Sequence, residues 1–82
     1  MYLKNELVGF VNANNVRQKV LSLLSSKGEM EGERIAKTLR VVYPTVAKTL
    51  EELEEKELIA KKKEMYSLTE TGAKVEKMIQ QI

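Results

Sequence analysis

The sequence has 82 residues, 43% hydrophobic and 32% charged, and its 14 Lys and Arg against 12 acids leave a net charge of only +2. It holds no His, Cys or Trp, and every acid is Glu. Without imidazole or thiol the chain has no zinc cluster, no Ser-His or Cys-His nucleophile and no redox dithiol to offer. An enzyme would have to run on Lys and Glu alone, and no pair of these sits in a catalytic context, so the expectation is a binding protein with neither metal nor cofactor. No stretch approaches the ~18–20 apolar residues of a membrane span, and the first residues lack the basic-then-apolar layout of a signal peptide. Those absences point to a cytoplasmic protein. A domain of this size buries only ~60% of its unfolded surface, which leaves room for stabilisation by a second copy.

In chain order, Leu3, Leu7 and Phe10 with Val11 fall at helical spacing and predict a short amphipathic arm over residues 1–11. Asn12-Ala13-Asn14-Asn15 reads as a turn able to cap the next helix, whose apolar stripe is Val16, Val20, Leu21, Leu23 and Leu24. That helix is closed by Ser25-Ser26-Lys27-Gly28. Glu29-Met30-Glu31 alternates and fits a brief strand or an extended lead into a two-turn helix from Gly32 to Leu39. Arg40-Val41-Val42-Tyr43 then leads to Pro44, which suits the first turn of a helix carrying Val46, Leu50 and Leu53 at i, i+4, i+7. Leu58 to Lys62 and Met65 to Leu68, separated by Lys63-Glu64, predict a small antiparallel hairpin. Thr69 caps a last helix with Ala73, Val75, Met78, Ile79 and Ile82 on its apolar face. The expected fold is mostly α with a small β-hairpin: a three-helix core, a two-stranded wing, and N- and C-terminal helices (residues 70–82 for the latter) within one domain.

Two stretches carry a resemblance. Ile35-Ala36-Lys37-Thr38-Leu39 followed by Pro44-Thr45-Val46-Ala47-Lys48-Thr49-Leu50-Glu51-Glu52-Leu53-Glu54-Glu55-Lys56-Glu57-Leu58-Ile59 resembles the helix-turn-helix of winged-helix regulators of the ArsR/MarR-like kind. Tyr66-Ser67-Leu68-Thr69-Glu70-Thr71-Gly72 is similar to their second wing strand and final helix. The resemblance spans roughly residues 16–79 and implies a DNA-binding transcriptional regulator with a recognition helix at about 43–56. It also implies a homodimer associated with the nucleoid, and terminal helices that pair across a two-fold axis. The chain departs from the pattern at three places. Arg40 and Val42 stand where a turn Gly and a Ser cap are common, and Glu57 replaces the usual hinge Gly, which predicts a poorer N-cap and a different C-cap. The metal-sensing branch of such regulators uses thiol or imidazole ligands, which this chain lacks.

The near-zero net charge hides a strong separation. Residues 34–50 hold Arg34, Lys37, Arg40 and Lys48 with no acid, and Lys61, Lys62 and Lys63 follow on the hairpin, whereas Glu51, Glu52, Glu54, Glu55 and Glu57 crowd the end of the recognition helix. Acids last and bases first opposes the helix macrodipole, so some other demand places them. One such demand is an N-terminal half laid against phosphates. Tyr43, Thr45, Lys48 and Thr49 are then expected toward the major groove, with Arg34, Lys37, Arg40, Lys61, Lys62 and Lys63 on the backbone. The bland reading of each is a solvated side chain, and Tyr43 could equally pack over Pro44. The Glu run reads most simply as a solvated face. Leu3, Leu7, Phe10, Val75, Met78, Ile79 and Ile82 are the candidates for a dimer interface, with closure of the chain's own core as the alternative. The rival function is a winged-helix module that binds protein within a larger assembly.

Overall fold

The computed structural model describes residues 4–80. Five helices and three short strands follow in the order α1 (Lys4–Asn12), α2 (Asn15–Lys27), β1 (Met30–Glu31), α3 (Gly32–Leu39), α4 (Tyr43–Glu55), β2 (Ile59–Lys62), β3 (Met65–Leu68) and α5 (Glu70–Gln80). The local signals in the sequence account for most of these boundaries. Asn14 Oδ1 accepts the backbone N–H of Val16 at 2.8 Å and of Arg17 at 3.3 Å, satisfying two donors at the start of α2. Gly28 ends that helix at φ +81. Thr69 Oγ1 accepts the N–H of Gly72 at 2.9 Å and starts α5. Val42 caps α4 without a side-chain hydrogen bond, the poorer N-cap the sequence predicts.

The C-terminal ends of α3 and α4 use one device twice. Val41 N donates to Ala36 O and Arg40 N to Lys37 O; likewise Leu58 N donates to Leu53 O and Glu57 N to Glu54 O. Each is the Schellman pattern, whose pivot residue must be left-handed. Arg40 sits at φ 58 and Glu57 at φ 62, so both occupy the conformation glycine normally supplies. The different C-cap expected at Glu57 is therefore not found: the usual cap forms, with a costlier residue in it.

The sheet is larger than a two-stranded wing. Its order is β1-β3-β2, all antiparallel, with Met30 opposite Tyr66 on one side of β3 and Lys61 opposite Tyr66 on the other. The hairpin turn at Lys63-Glu64 places Lys63 at φ 59, as a primed two-residue turn demands. Pairing with β1 anchors the wing to the segment that leads into α3.

Leu21, Leu24, Ile35, Val46, Leu50, Leu53, Leu58 and Ile59 form the centre of the core, each at most 2% exposed. Burial of such a side chain is worth about 1.5–3 kcal/mol. Two of the residues expected at a dimer interface belong to this core as well. Leu7 is 2% exposed and Val75 fully buried within the single chain, because α1, α2 and α5 pack on one another. Neither retains surface for a second copy. Phe10 lies under the Arg17 guanidinium, 3.8 Å from its ring centre, with Lys56 Nζ at 5.4 Å. Met78 and Ile79 are half-buried, and Leu3 and Ile82 lie outside the described residues.

Arg17 ties three helices together. Its Nη1 donates to Phe10 O at the end of α1 at 2.7 Å, and its Nε and Nη2 each lie 3.2 Å from Glu52 Oε1 on α4. Glu52 is thus a structural partner rather than one more solvated acid of the run. On α5 the inner stripe is Gly72, Val75, Glu76 and Ile79, and Glu76, only 4% exposed, buries Oε2 without a hydrogen-bond partner among the described residues.

Candidate nucleic-acid interface

The helical phase of α4 decides which of its residues can read anything. Val46, Thr49, Leu50 and Leu53 face inward, and Pro44, Thr45, Lys48 and Glu51 are exposed. Thr49 is the correction here. It is 4% exposed and donates its hydroxyl to Thr45 O at 3.0 Å, because a position three residues after Val46 and four before Leu53 falls on the buried stripe. Thr45 and Lys48 remain on the outer face and share a groove with Pro44, Glu52 and Asn14 of the turn before α2, with Thr49 at its floor.

Ahead of them lies the turn between α3 and α4. Lys37, Arg40 and Tyr43 line one open groove of about 620 Å³ together with Glu33, Ala36, Val41 and Val42. Arg34 is not part of it; it lines a separate recess with Lys27, Glu29, Met30 and Thr38. The four cations of the 34–50 stretch therefore divide among three places on the surface, with Lys37 and Arg40 together and Arg34 and Lys48 apart.

Tyr43 is 49% exposed, and its ring edge stands close to the backbone of Gly32, where an added Cβ would meet Tyr43 Cε1 at 3.4 Å, Leu50 Cδ1 at 3.3 Å and Tyr66 Cε2 at 3.6 Å. It packs across the start of α3, leaving half of the residue in solvent. Val42 beside it is 68% exposed. The sequence marks Val42 only as a poor cap, since one of two adjacent valines in a four-residue connection carries no periodicity that would show it exposed.

The wing lysines do not act as one block. Successive strand residues alternate between faces. Lys61 lies opposite Tyr66, with Nζ 5.6 Å from the ring centre, and shares a small recess with Glu31, Glu33, Glu64 and Tyr43. Lys62 projects from the other face, and Lys63 stands at the turn. Three carboxylates between the helix-turn-helix and the wing thus interrupt the basic surface. The sequence stretch 34–50 hides this because Glu31 and Glu33 lie just before it and Glu64 far beyond.

This arrangement of helix, turn, helix and wing is matched by known proteins. The family of the N-terminal domain of the methanogenesis regulatory protein FilR1 matches residues 5–82. The chain belongs to that FilR1 N-terminal domain family. Among solved structures, quinone-bound YodB from B. subtilis superposes with a TM-score of 0.83 at 23% identity, covering 99% of this chain and 91% of that one. ZitR of Lactococcus lactis gives 0.73 at 28% identity, over 99% and 72%. The transcriptional repressor CouR, solved with p-coumaroyl-CoA, gives 0.78 at 24% identity over 90% of this chain, which spans 55% of CouR's length. No curated protein matches the sequence. The FilR1-type chain thus has the winged-helix fold of transcriptional regulators, as the sequence resemblance implies. Among the described residues no helix is long and apolar enough to cross a membrane.

Proposed function

We propose that this FilR1-type domain binds duplex DNA sequence-specifically in the cytoplasm, as a regulator of transcription without catalytic activity. The observation that carries the reading is the exposed N-terminal half of α4, a stretch with no acid of its own, where Thr45 and Lys48 face outward while Lys37 and Arg40 flank the preceding turn. In this reading α4 enters the major groove. Lys48 donates to guanine O6 or N7, and the Thr45 methyl meets a base edge. Lys37, Arg40 and Arg34 hold phosphates on the helix side and Lys62 and Lys63 on the wing side. Lys61 contributes least, since it shares its recess with Glu31, Glu33 and Glu64. Thr49 contributes no free hydroxyl, since its own is donated to Thr45 O.

We place a second copy against α5 through Met78, with the half-buried Ile79 and Phe10, which also pack on the core, at the edge of the contact. Two recognition helices would then read half-sites about one DNA turn, ~34 Å, apart.

The test is a salt titration of binding to a sequence selected from a random duplex pool. Log affinity is expected to fall linearly with log salt, with a slope of about −0.9 per phosphate contacted. Lys63→Ala should reduce the slope by about one unit, Lys61→Ala should leave it nearly unchanged, and Lys48→Ala should change the preferred sequence. Absence of duplex binding at low salt sinks the proposal and leaves protein docking as the use of this surface.

A further inference from the structure

Among the described residues the large hydrophobic side chains left in solvent are Val42 at 68% and Tyr43 at 49%, and they are neighbours in sequence and in space. Val42 is costly where it stands. As the N-cap of α4 it makes no side-chain hydrogen bond, forgoing about 1 kcal/mol that Ser, Thr, Asp or Asn would contribute there, and it exposes an isopropyl group as well. The core does not use it. Tyr43, the first residue of α4, leans on the start of α3 at Gly32 but keeps half its surface free. The pair borders the open groove whose other apolar walls are Ala36 and Val41; Lys37 and Arg40 supply two cations to the same groove against the single carboxylate of Glu33. An apolar pair beside cations, at the tip of an exposed helix, suits a partner that is anionic overall and offers small apolar groups at the point of contact. Duplex DNA offers one such group in the major groove, the C5 methyl of thymine.

The geometry points to Val42 and Tyr43 as readers of thymine methyl groups, so that the half-site under the start of α4 carries thymine at the positions these two side chains cover. This inference rests on the DNA reading above and deepens it. Lys37 and Arg40 hold the adjoining phosphates and bring the helix start down onto the base edges. Val42 and Tyr43 then supply discrimination by burying methyl groups, which cytosine and the purines do not present.

The experiment replaces each thymine of the selected half-site in turn by deoxyuridine, which removes the methyl and leaves base pairing unchanged. One or two positions are expected to lose affinity by about four-fold each, the worth of one buried methyl-sized group. Val42→Ser is the decisive variant because it restores a capping hydroxyl. It is expected to keep or raise the melting temperature while binding thymine and deoxyuridine equally at the position Val42 covers. Tyr43→Ala should do the same at the neighbouring position, with melting curves confirming that the fold persists. Tight, sequence-selective binding with no deoxyuridine penalty overturns this inference and leaves the DNA reading intact. A penalty unchanged in both variants overturns it too, assigning the methyl contact to another side chain such as Thr45. Failure to bind any duplex at low salt removes both readings together.

Discussion

Glu57 illustrates how much a single backbone position holds in tension. A left-handed conformation costs an L-residue roughly 1–2 kcal/mol, yet Glu57 adopts φ 62 because the Schellman hydrogen bonds of Leu58 and Glu57 fix the end of α4 there. Its carbonyl also accepts the Thr69 hydroxyl at 2.7 Å, so the strained residue is part of a junction and not a loose end. Glu57→Gly relieves the strain and increases the freedom of the unfolded chain, and the net effect should be a gain of about 0.5–1 kcal/mol. A thermal melt checks this, with a rise of about 3–6 °C expected for a domain of this size. The same scale shows where sequence patterns mislead. Thr49 is polar and reads as a groove-facing residue, but its hydroxyl is satisfied by the carbonyl of Thr45 one turn back, so it sits among Val46, Leu50 and Leu53 without an unpaired donor. Glu76 likewise reads as surface charge and is buried. In both cases helical phase outweighed residue type.

Among the elements, the best-specified were those with local chemistry. Asn14 before α2, Thr69 before α5 and the two-residue turn between β2 and β3 are legible because each cap or turn is made by residues within three positions of one another. What the sequence hid is non-local. Two residues, Met30 and Glu31, complete the sheet only because β3 lies alongside. The apolar stripes of α1 and α5 are equally compatible with a copy or with the chain itself, and burial assigns Leu7 and Val75 of them to the chain. The docking of α5 leaves a sharper mark. A Cβ on Gly72 would lie 1.9 Å from Leu58 O and 2.9 Å from Leu58 C, both backbone atoms that cannot rotate away. Gly72→Ala must therefore push α5 off the connection between α4 and β2. It should destabilise by about 2–3 kcal/mol or more, which chemical denaturation will register as a fall in midpoint without loss of helix content in the native state.

For the whole molecule, Leu7 and Val75 are consumed by the monomer, so the surface left for pairing is narrow. Met78→Glu, on the outer part of α5, is expected to leave circular dichroism unchanged while shifting the mass by light scattering from dimer to monomer. A monomer for the unsubstituted chain at micromolar concentration defeats the pairing. The candidate site was half legible on the same scale. The sequence shows that cations precede acids, but their division into a turn pair, an isolated Arg34, a forward Lys48 and a carboxylate-screened Lys61 depends on helix phase, strand alternation and the position of Glu31, Glu33 and Glu64.

The junction at Thr69 has one more consequence. Its hydroxyl bonds to Glu57 O at 2.7 Å and lies 3.2 Å from Leu58 O, its N–H reaches Leu58 O at 3.1 Å, and Gly72 lies one turn further on against the same carbonyl. The foot of the last helix is thus riveted to the heel of α4 with no slack residue between them. Turning α5 about its foot independently of α4 would therefore require breaking the bonds to Glu57 O and Leu58 O.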